Sequence, residues 1–327
     1  MKSHEYEFKS RDLARLLAWP LATVALFAAA THLVTLAGLL PKPRPMLDLD
    51  RTIITHQVEA SRARQDASIV LLGDSSCLMN VDAVELGRLL GQPVLNLGTL
   101  SYLDLSASAE LLRQYAQANP GKLRAMVILQ HPEALRRPAP QEYHVNLLRH
   151  LLDGTDFGPR ETFHGKVMQV LGLEAWQNRV LARALPAPLP GAFRQRYGFA
   201  TDLDRQLTAK RGSLLDPDVQ PLRGSAEYRL APTLERVSRD FRAAVPEGTK
   251  LFAGITPVPA NFAGRSYPAK RDEMLATWGQ WLRADATLTN LPPTLPDDRF
   301  VKTTHLNEAG VREFTEALAG ALAPNLR

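Results

Sequence analysis

The stretch Ser68-Ile-Val-Leu-Leu-Gly-Asp-Ser-Ser76 decides the fold of this 327-residue chain. Its apolar run from Ile69 to Leu72 predicts a buried strand that ends at a glycine. Apolar residues then return at the wider spacing of a helix, at Leu78, Val81 and Val84. A small polar residue at such a turn can present its hydroxyl for nucleophilic attack, and the helix N-terminus favours developing negative charge. Two interpretations fit: Ser75 is a nucleophile, or Ser75 or Ser76 simply caps the helix.

A second polar motif, Thr304-His305-Leu306-Asn307, lies near the C-terminus and precedes an amphipathic stretch that reaches Leu322. Together with Gly73-Asp74-Ser75, this motif resembles the last and first blocks of the SGNH (GDSL-like) hydrolase superfamily, over roughly residues 68 to 327. The resemblance implies that Ser75 is a nucleophile and that His305 is its general base.

Three further apolar runs, at residues 93–97, 125–129 and 250–256, predict strands with helical patterns between them. This alternation predicts an α/β fold whose parallel sheet is covered on both faces. The resemblance implies the flavodoxin-like three-layer form of that fold. The functional site of such a sheet lies at the carboxyl ends of the strands, and four features fall there: Ser75, Gly98, Gln130-His131 and Pro257.

Donors for an oxyanion form the next part of the expected site, because acyl transfer develops negative charge on the substrate oxygen. By the resemblance, Asn96-Leu97-Gly98 matches the second family block and makes Gly98 a candidate donor, with Ser101 as the other candidate. The third block departs from the family pattern Gly-x-Asn-Asp, because Gln130-His131-Pro132-Glu133 stands there. Gln130 or His131 could supply a side-chain N–H, and an ordinary loop histidine fits His131 equally well.

Lys302 stands three residues before His305, where the family has an aspartate. The carboxylate of such an aspartate fixes the imidazole tautomer and stabilises the imidazolium. Three interpretations stay open. Asp298, our candidate, or its neighbour Asp297 supplies the carboxylate from the same loop; a backbone carbonyl orients His305 in a Ser–His dyad; or the site is impaired and the domain is a scaffold.

Residues 16–40 contain no Asp, Glu, Lys or Arg and predict one transmembrane helix. A helix of that length extends roughly 37 Å, more than the ~30 Å of a bilayer core. Basic residues lie on both sides, with a small excess before the span that favours a cytoplasmic N-terminus. The alternative is a signal peptide cleaved near Ala28-Ala29-Ala30, although the apolar run exceeds the usual ~7–15 residues.

The predicted organisation has three parts. Residues 1–45 form a cytoplasmic tail, an anchor in the inner membrane and a proline-rich exit, and residues 46–66 form a stalk. Residues 67–327 form the SGNH-like domain, on the periplasmic or extracellular side. A proline-rich region at about 134–231 is too long for an ordinary connection and predicts a helical insertion. This insertion is either a cap or partner-docking region, or a surface excursion without a function.

Composition excludes several classes of function. The net charge of +5 is spread along the chain, without a basic stripe interleaved with aromatic residues, so we expect no nucleic-acid binding. The single cysteine, Cys77, excludes an intrachain disulfide and a cysteine-based metal site, and we expect it to pack in the core. We expect neither a metal nor a cofactor.

One membrane span joined to a GDSL-like domain is similar to the anchored partner proteins of membrane-bound O-acyltransferases. That resemblance implies a serine acyltransferase or esterase acting in O-acylation, with O-acetylation as the expected case, of a cell-surface polysaccharide through an acyl-serine on Ser75. The expected partners are a membrane-bound O-acyltransferase or a polysaccharide-synthesis membrane complex, a glycan substrate, and the lipid bilayer at residues 16–40. The alternatives are a simple anchored esterase and a non-catalytic scaffold subunit.

Overall fold

The computed structural model describes residues 10–36, 49–137, 140–155, 201–216, 219–223 and 227–326. The chain divides into two compact units, one of Met1–Met46 and Phe157–Phe199, and a larger one of Leu47–Asp156 and Ala200–Arg327. In the smaller unit, helix α1 spans Ser10–Leu36. Within the described ranges, no helix combines the length and the hydropathy of a bilayer span. The rest of the predicted anchor region, residues 1–9 and 37–45, lies outside those ranges.

The larger unit is built on a parallel five-stranded sheet. The strands of the unit are β1 Ile69–Gly73, β2 Val94–Asn96, β3 Ala125–Gln130, β4 Lys250–Ile255, β5 Val258–Pro259, β6 Ala286–Thr287, β7 Thr294–Leu295, β8 Phe300–Lys302 and β9 His305–Leu306. The central sheet has the order β2-β1-β3-β4-β6, and every neighbouring pair in it is parallel. This is the strand order of flavodoxin-like sheets, and the predicted α/β class with a parallel sheet is confirmed.

Helices cover the sheet. They are α2 Leu49–Arg62, α3 Ser75–Asn80, α4 Ala83–Leu90, α5 Leu105–Ala118, α6 Pro132–Arg136, α7 Glu142–Asp153, α8 Thr201–Ala209, α9 Leu234–Arg242, α10 Ala260–Ala263, α11 Tyr267–Leu282 and α12 Glu308–Leu322. Helices α2, α5, α9 and α11 contact one another in a chain, whereas α4 packs with α12. The alternating pattern of strands and helices in the sequence thus becomes a layered structure.

The core explains why the β1 stretch is apolar without interruption. All five residues of β1 are buried, as expected for a central strand with helices on both faces. Ile69 and Leu71 belong to a cluster with Phe314 and Leu318 of α12. Each fully buried side chain of this size stabilises the fold by about 1.5–3 kcal/mol.

The segment predicted as a stalk forms α2, which belongs to the larger folded unit. Ile53 and Ile54 are fully buried there, and the Gln57 side chain donates hydrogen bonds to two backbone carbonyls of that unit. The thin apolar stripe of residues 49–62 therefore packs into the domain instead of leading to it.

The region predicted as a helical insertion contains α6, α7 and α8 within the described residues. Its residues 138–139, 156–200, 217–218 and 224–226 lie outside them. The chain returns from this region to β4, which pairs with β3 in continuous register.

The register of the sheet brings two strand ends together. Gly73, the last residue of β1, pairs with Leu129 of β3. Ser75 and His131 each follow this pair by two residues, on strands that lie about 4.8 Å apart. Both residues are therefore at the carboxyl edge of the sheet, where sites form in folds of this kind.

Candidate active site

The turn after β1 is fixed by a glycine and an aspartate. Gly73 has a positive φ of 150°, and a Cβ at this position would lie 1.8 Å from the Leu129 carbonyl oxygen. The Asp74 carboxylate accepts hydrogen bonds from the Ser76 N–H at 2.9 Å, the Ser76 hydroxyl at 2.6 Å and the His131 N–H at 3.1 Å. Asp74 therefore caps α3, with Ser75 as the first residue of the helix, and ties this turn to the residue that follows β3. Burial raises the pKa of Asp74, against the lowering effect of these donors.

Ser75 and His305 meet at this edge although 230 positions separate them in sequence. The Ser75 Oγ lies 2.9 Å from His305 Nε2. Asn80 holds the histidine segment from α3, because its amide donates to the Thr304 carbonyl at 3.1 Å and accepts from the Leu306 N–H at 2.9 Å. The two sequence motifs thus form one hydrogen-bonded pair.

The third member of the site is Asp216, which lies in the inserted region. Its Oδ2 is 2.5 Å from His305 Nδ1, and the same oxygen is 2.5 Å from Lys302 Nζ. The side chain of Asp216 is 3% exposed. The carboxylate therefore approaches the imidazole from a different element than the family pattern implies, and Lys302 pairs with it.

The prediction that Asp298 or Asp297 orients His305 is wrong in this structure. The Asp298 side chain is 72% exposed and pairs with Arg299 at 2.9 Å. Asp297 instead accepts the N–H of Asn261 at 3.0 Å. Since a carboxylate does contact Nδ1, the interpretation of a dyad held by a backbone carbonyl is also corrected.

Close backbone contacts place the segment that carries Asp216. Gly212 has a left-handed φ of 87°, and a Cβ there would lie 1.9 Å from the Asn96 carbonyl oxygen. The Ser213 hydroxyl accepts from the Asn96 amide at 3.0 Å and from the Ala83 N–H at 3.1 Å. The Leu214 N–H donates to the carbonyl of Leu78 at 3.1 Å. The part of the insertion that follows α8 is thus held against β2 and α3.

The contacts among these three residues match the requirements for activating a serine. The Asp216 carboxylate accepts a hydrogen bond from the Nδ1–H of His305, so Nε2 is left to take the proton of the Ser75 hydroxyl. The aspartate also stabilises the imidazolium that forms. All three groups are at least nine-tenths buried, which strengthens their electrostatic interactions.

The candidates for the oxyanion donor differ in their surroundings. The Gly98 N–H donates to the side chain of Asn96 at 2.8 Å, so the prediction of Gly98 as a donor is wrong in this structure. The Ser101 hydroxyl lies 2.9 Å from the Ser75 Oγ. Gln130 is the buried last residue of β3. His131 is also buried and accepts the N–H of Glu133 with its Nδ1 at 3.1 Å.

Cys77 lies in the same turn of helix as Ser75 and is fully buried. Burial raises its pKa well above the ordinary value, so the group stays a thiol and packs in the core. In the described part of the chain, no group of three or more His, Cys, Asp or Glu side chains could hold a metal ion.

Comparisons with known proteins add little to this geometry. No protein-family model matches the chain, and no curated protein matches it. A solved structure from Streptococcus pneumonia, described as "a putative platelet activating factor", is similar over 91% of this chain and 99% of its own. The identity is 14% and the TM-score 0.38. The functional conclusion therefore depends on the residues of this chain.

Proposed function

We propose that this protein is a serine acyltransferase or esterase that carries an acyl group on the Ser75 hydroxyl. One observation carries the proposal: the buried series of contacts from Ser75 Oγ through the His305 ring to Asp216. Serine hydroxyls are weak nucleophiles unless a base takes their proton, and an oriented imidazole supplies that base.

The reaction has two halves. Ser75 Oγ attacks an ester carbonyl while His305 Nε2 takes the hydroxyl proton; the tetrahedral intermediate then loses the leaving alcohol, to which His305 returns the proton. The product is an acyl-serine. In the second half, an acceptor hydroxyl or water gives its proton to His305 and attacks the acyl carbon. The bond from the acyl carbon to Ser75 Oγ then breaks, and His305 returns the proton to the Ser75 oxygen. A glycan hydroxyl as acceptor gives transfer, and water gives hydrolysis.

The cellular setting in our proposal is the outer side of the inner membrane. The charge-free stretch of residues 16–40 supports an anchor, and α1 exposes several large apolar side chains, namely Leu13, Leu16, Trp19, Leu21, Val24, Leu26 and Leu33. A tether would raise the effective concentration of the domain near a membrane-bound O-acyltransferase. We therefore propose that the protein takes part in the O-acetylation of a cell-surface polysaccharide.

Intact-mass spectrometry of the full chain in detergent tests the acyl-serine. After incubation with p-nitrophenyl acetate, we expect one added acetyl group, located by peptide mapping at Ser75. Ser75→Ala should lose the added mass, and Ser266→Ala, an exposed serine without a side-chain cap bond, should keep it. Equal labelling of wild type and Ser75→Ala would reject the proposal.

A second experiment separates transfer, hydrolysis and a scaffold role. Acetyl-loaded protein mixed with an oligosaccharide should yield acetylated sugar if it is a transferase, and only acetate if it is an esterase. A cell that carries Ser75→Ala at normal protein level and still acylates its polymer normally would favour the scaffold.

Membrane attachment has its own test. The full chain should float with phospholipid vesicles in a density gradient, and a chain lacking residues 1–46 should stay at the bottom. Sedimentation of both proteins would remove the anchor from the proposal without affecting the acyl-serine.

A further inference from the structure

The Ser75 hydroxyl has a second neighbour besides the general base. Its Oγ lies 2.9 Å from His305 Nε2 and 2.9 Å from the Oγ of Ser101, an exposed residue in the loop between β2 and α5. The series of contacts that ends at Asp216 does not include Ser101. The loop after β2 therefore adds a hydroxyl directly at the reacting oxygen.

The direction of the hydrogen bond between the two serines follows from counting protons. The Nδ1–H of His305 donates to Asp216, so Nε2 carries a lone pair and accepts the proton of Ser75. A hydroxyl has only one proton to donate. Ser101 must therefore be the donor in its bond with Ser75, and in the resting site its proton is already in use.

This donation fixes the direction from which Ser75 can attack. A serine oxygen has one proton and two lone pairs. The proton points to His305 and one lone pair accepts from Ser101, which leaves one lone pair without a partner among the described residues. Rotation of the Ser75 side chain about χ1 would break both hydrogen bonds. The remaining lone pair thus has one defined direction, as a near-attack geometry requires.

The turn that carries Ser101 is itself well fixed. The Leu103 N–H donates to the Leu100 carbonyl at 3.0 Å, and this bond closes a four-residue turn with Ser101 in its second position. The side chains of Leu100 and Leu103 are buried. Ser101 is therefore presented by a turn whose two ends are anchored in the core.

Two neighbouring segments hold the same turn. The Thr99 N–H donates to the carbonyl of Gly73 at 2.9 Å, which joins the loop to the end of β1. The Tyr102 carbonyl accepts the Gln141 N–H at 2.9 Å, and the Tyr102 ring stacks on His144 of α7 with 4.7 Å between the ring centroids. The insertion thus also supports the turn that presents the second hydroxyl.

We propose that Ser101 positions the nucleophile, because its hydroxyl donates to Ser75 Oγ and aims the free lone pair at the substrate carbonyl. The inference rests on the proposed acyl-serine mechanism. As Ser75 Oγ bonds to the carbonyl carbon, its proton moves to His305 and the π electron pair moves to the carbonyl oxygen. Ser101 keeps its proton throughout and contributes a fixed donor to the attacking oxygen, not to the substrate oxygen.

Two substitutions of similar shape test this role in the full chain. Threonine and valine at position 101 differ mainly in a hydroxyl, and the additional methyl group of valine takes the place of a water that could replace it. Reaction with a fluorophosphonate, in which Ser75 Oγ displaces fluoride, measures the attack alone. We expect Ser101→Val to lower the second-order rate constant of labelling by about 10–10²-fold, because misplacement by ~1 Å can cost about 10²-fold. Ser101→Thr should stay within about threefold of the wild type, since its hydroxyl can make the same bond.

The outcomes separate this inference from the acyl-serine proposal. Slow labelling of Ser101→Val, with the rate recovered in Ser101→Thr and the label mapped to Ser75, supports the positioning role. If both variants react at the wild-type rate, or if both lose the same factor at unchanged melting temperatures, the positioning role is rejected and the acyl-serine stands. If the wild type is not labelled at Ser75, the acyl-serine mechanism fails and this inference fails with it.

Discussion

At the residue scale, a single carboxylate oxygen connects the general base to a lysine. Asp216 Oδ2 contacts His305 Nδ1 and Lys302 Nζ, each at 2.5 Å. Charge-assisted hydrogen bonds of this kind are shorter and stronger than neutral ones. The Lys302 side chain is 22% exposed, so water partly screens its ion pair with Asp216. The base is thus oriented by an acid that is itself held by a cation.

Asp216→Asn is expected to lower kcat for ester hydrolysis by about 10³–10⁴-fold, because an amide no longer fixes the imidazole tautomer or stabilises the imidazolium. Asp298→Asn, which changes an exposed carboxylate away from His305, should stay within about twofold of wild type. Steady-state kinetics of ester hydrolysis by both variants of the full chain test this prediction. Comparable losses in both variants would contradict Asp216 as the acid.

Lys302→Met is expected to lower kcat by about tenfold with little change in KM, since Asp216 loses a positioning contact. Misplacement by ~1 Å can slow an enzyme about 10²-fold, and partial solvent screening argues for a smaller effect here. Lys302→Arg should recover part of the loss. In an Asp216→Asn background the methionine substitution should add nothing, and full additivity in this double-mutant cycle would show that Lys302 acts independently of Asp216.

At the scale of elements, the part of the insertion that follows α8 positions the acid. The segment after α8 lies so close to β2 that only a glycine fits at position 212. Hydrogen bonds from Ser213 and Leu214 then fix the chain direction just before Asp216. Helix α3 holds the opposite partner, because Asn80 bonds to the backbone on both sides of His305. The segment after α8, the strand β2 and the helix α3 thus together set the distances among Ser75, His305 and Asp216.

Gly212→Ala is expected to destabilise the protein more than Gly91→Ala, and to lower kcat as well. Both glycines have left-handed φ angles, which an alanine adopts at a cost of about 1 kcal/mol. A Cβ at Gly91 has no atom within 4 Å, whereas at Gly212 it would overlap the Asn96 carbonyl. The additional loss should be about 1–3 kcal/mol, measured by urea unfolding. Equal losses in the two variants would contradict the close packing of this segment.

The sequence predicts the nucleophile and the general base of the site better than it predicts the acid. Ser75 follows a continuous apolar run and a Gly-Asp turn, and His305 precedes an amphipathic helix, so local patterns indicate both positions. Asp216 lies in an irregular segment, 89 positions from His305, and depends on a backbone contact that no periodicity reveals. One signal was present in Lys302, since a basic residue at the position of an acid suggests an opposite charge nearby.

The oxyanion donors are also difficult to predict from the sequence. Gly98 follows a predicted strand in a suitable position, but the Asn96 side chain two residues earlier takes its N–H. Short side chains often bond to nearby backbone in this way, and no sequence pattern distinguishes such a bond from a free N–H. Likewise, the sequence places His131 at a strand end but does not show that Glu133 fixes its tautomer.

At the scale of the whole molecule, the buried neutral His131 makes stability depend on pH. Its folded pKa of about 3 lies below the ordinary 6.5, so the unfolded chain binds the additional proton between these values. The contribution to stability is complete above pH 6.5 and is lost as the pH falls toward 3. The charged group that acts on the ring is His305, while Asp74, whose pKa is raised by burial, accepts the backbone N–H of His131.

His131→Asn is therefore expected to flatten the acid side of the stability curve. Between pH 6 and pH 4, the free energy of unfolding of the wild type should fall more steeply than that of the variant, by up to about 1.4 kcal/mol per pH unit. Urea titrations at a series of pH values measure this difference. Parallel curves for the two proteins would contradict a neutral buried ring.

The hydrogen bond between Ser75 and His305 closes a loop of 230 residues, with Asp216 entering from the middle of it. Long-range contacts of this kind form only when most of the topology is in place, because the entropy of closing the loop must first be overcome. A fluorophosphonate that labels only the activated serine would then serve as a readout of complete folding. During refolding, its incorporation should begin only after circular dichroism reports the secondary structure, as the last event of assembly.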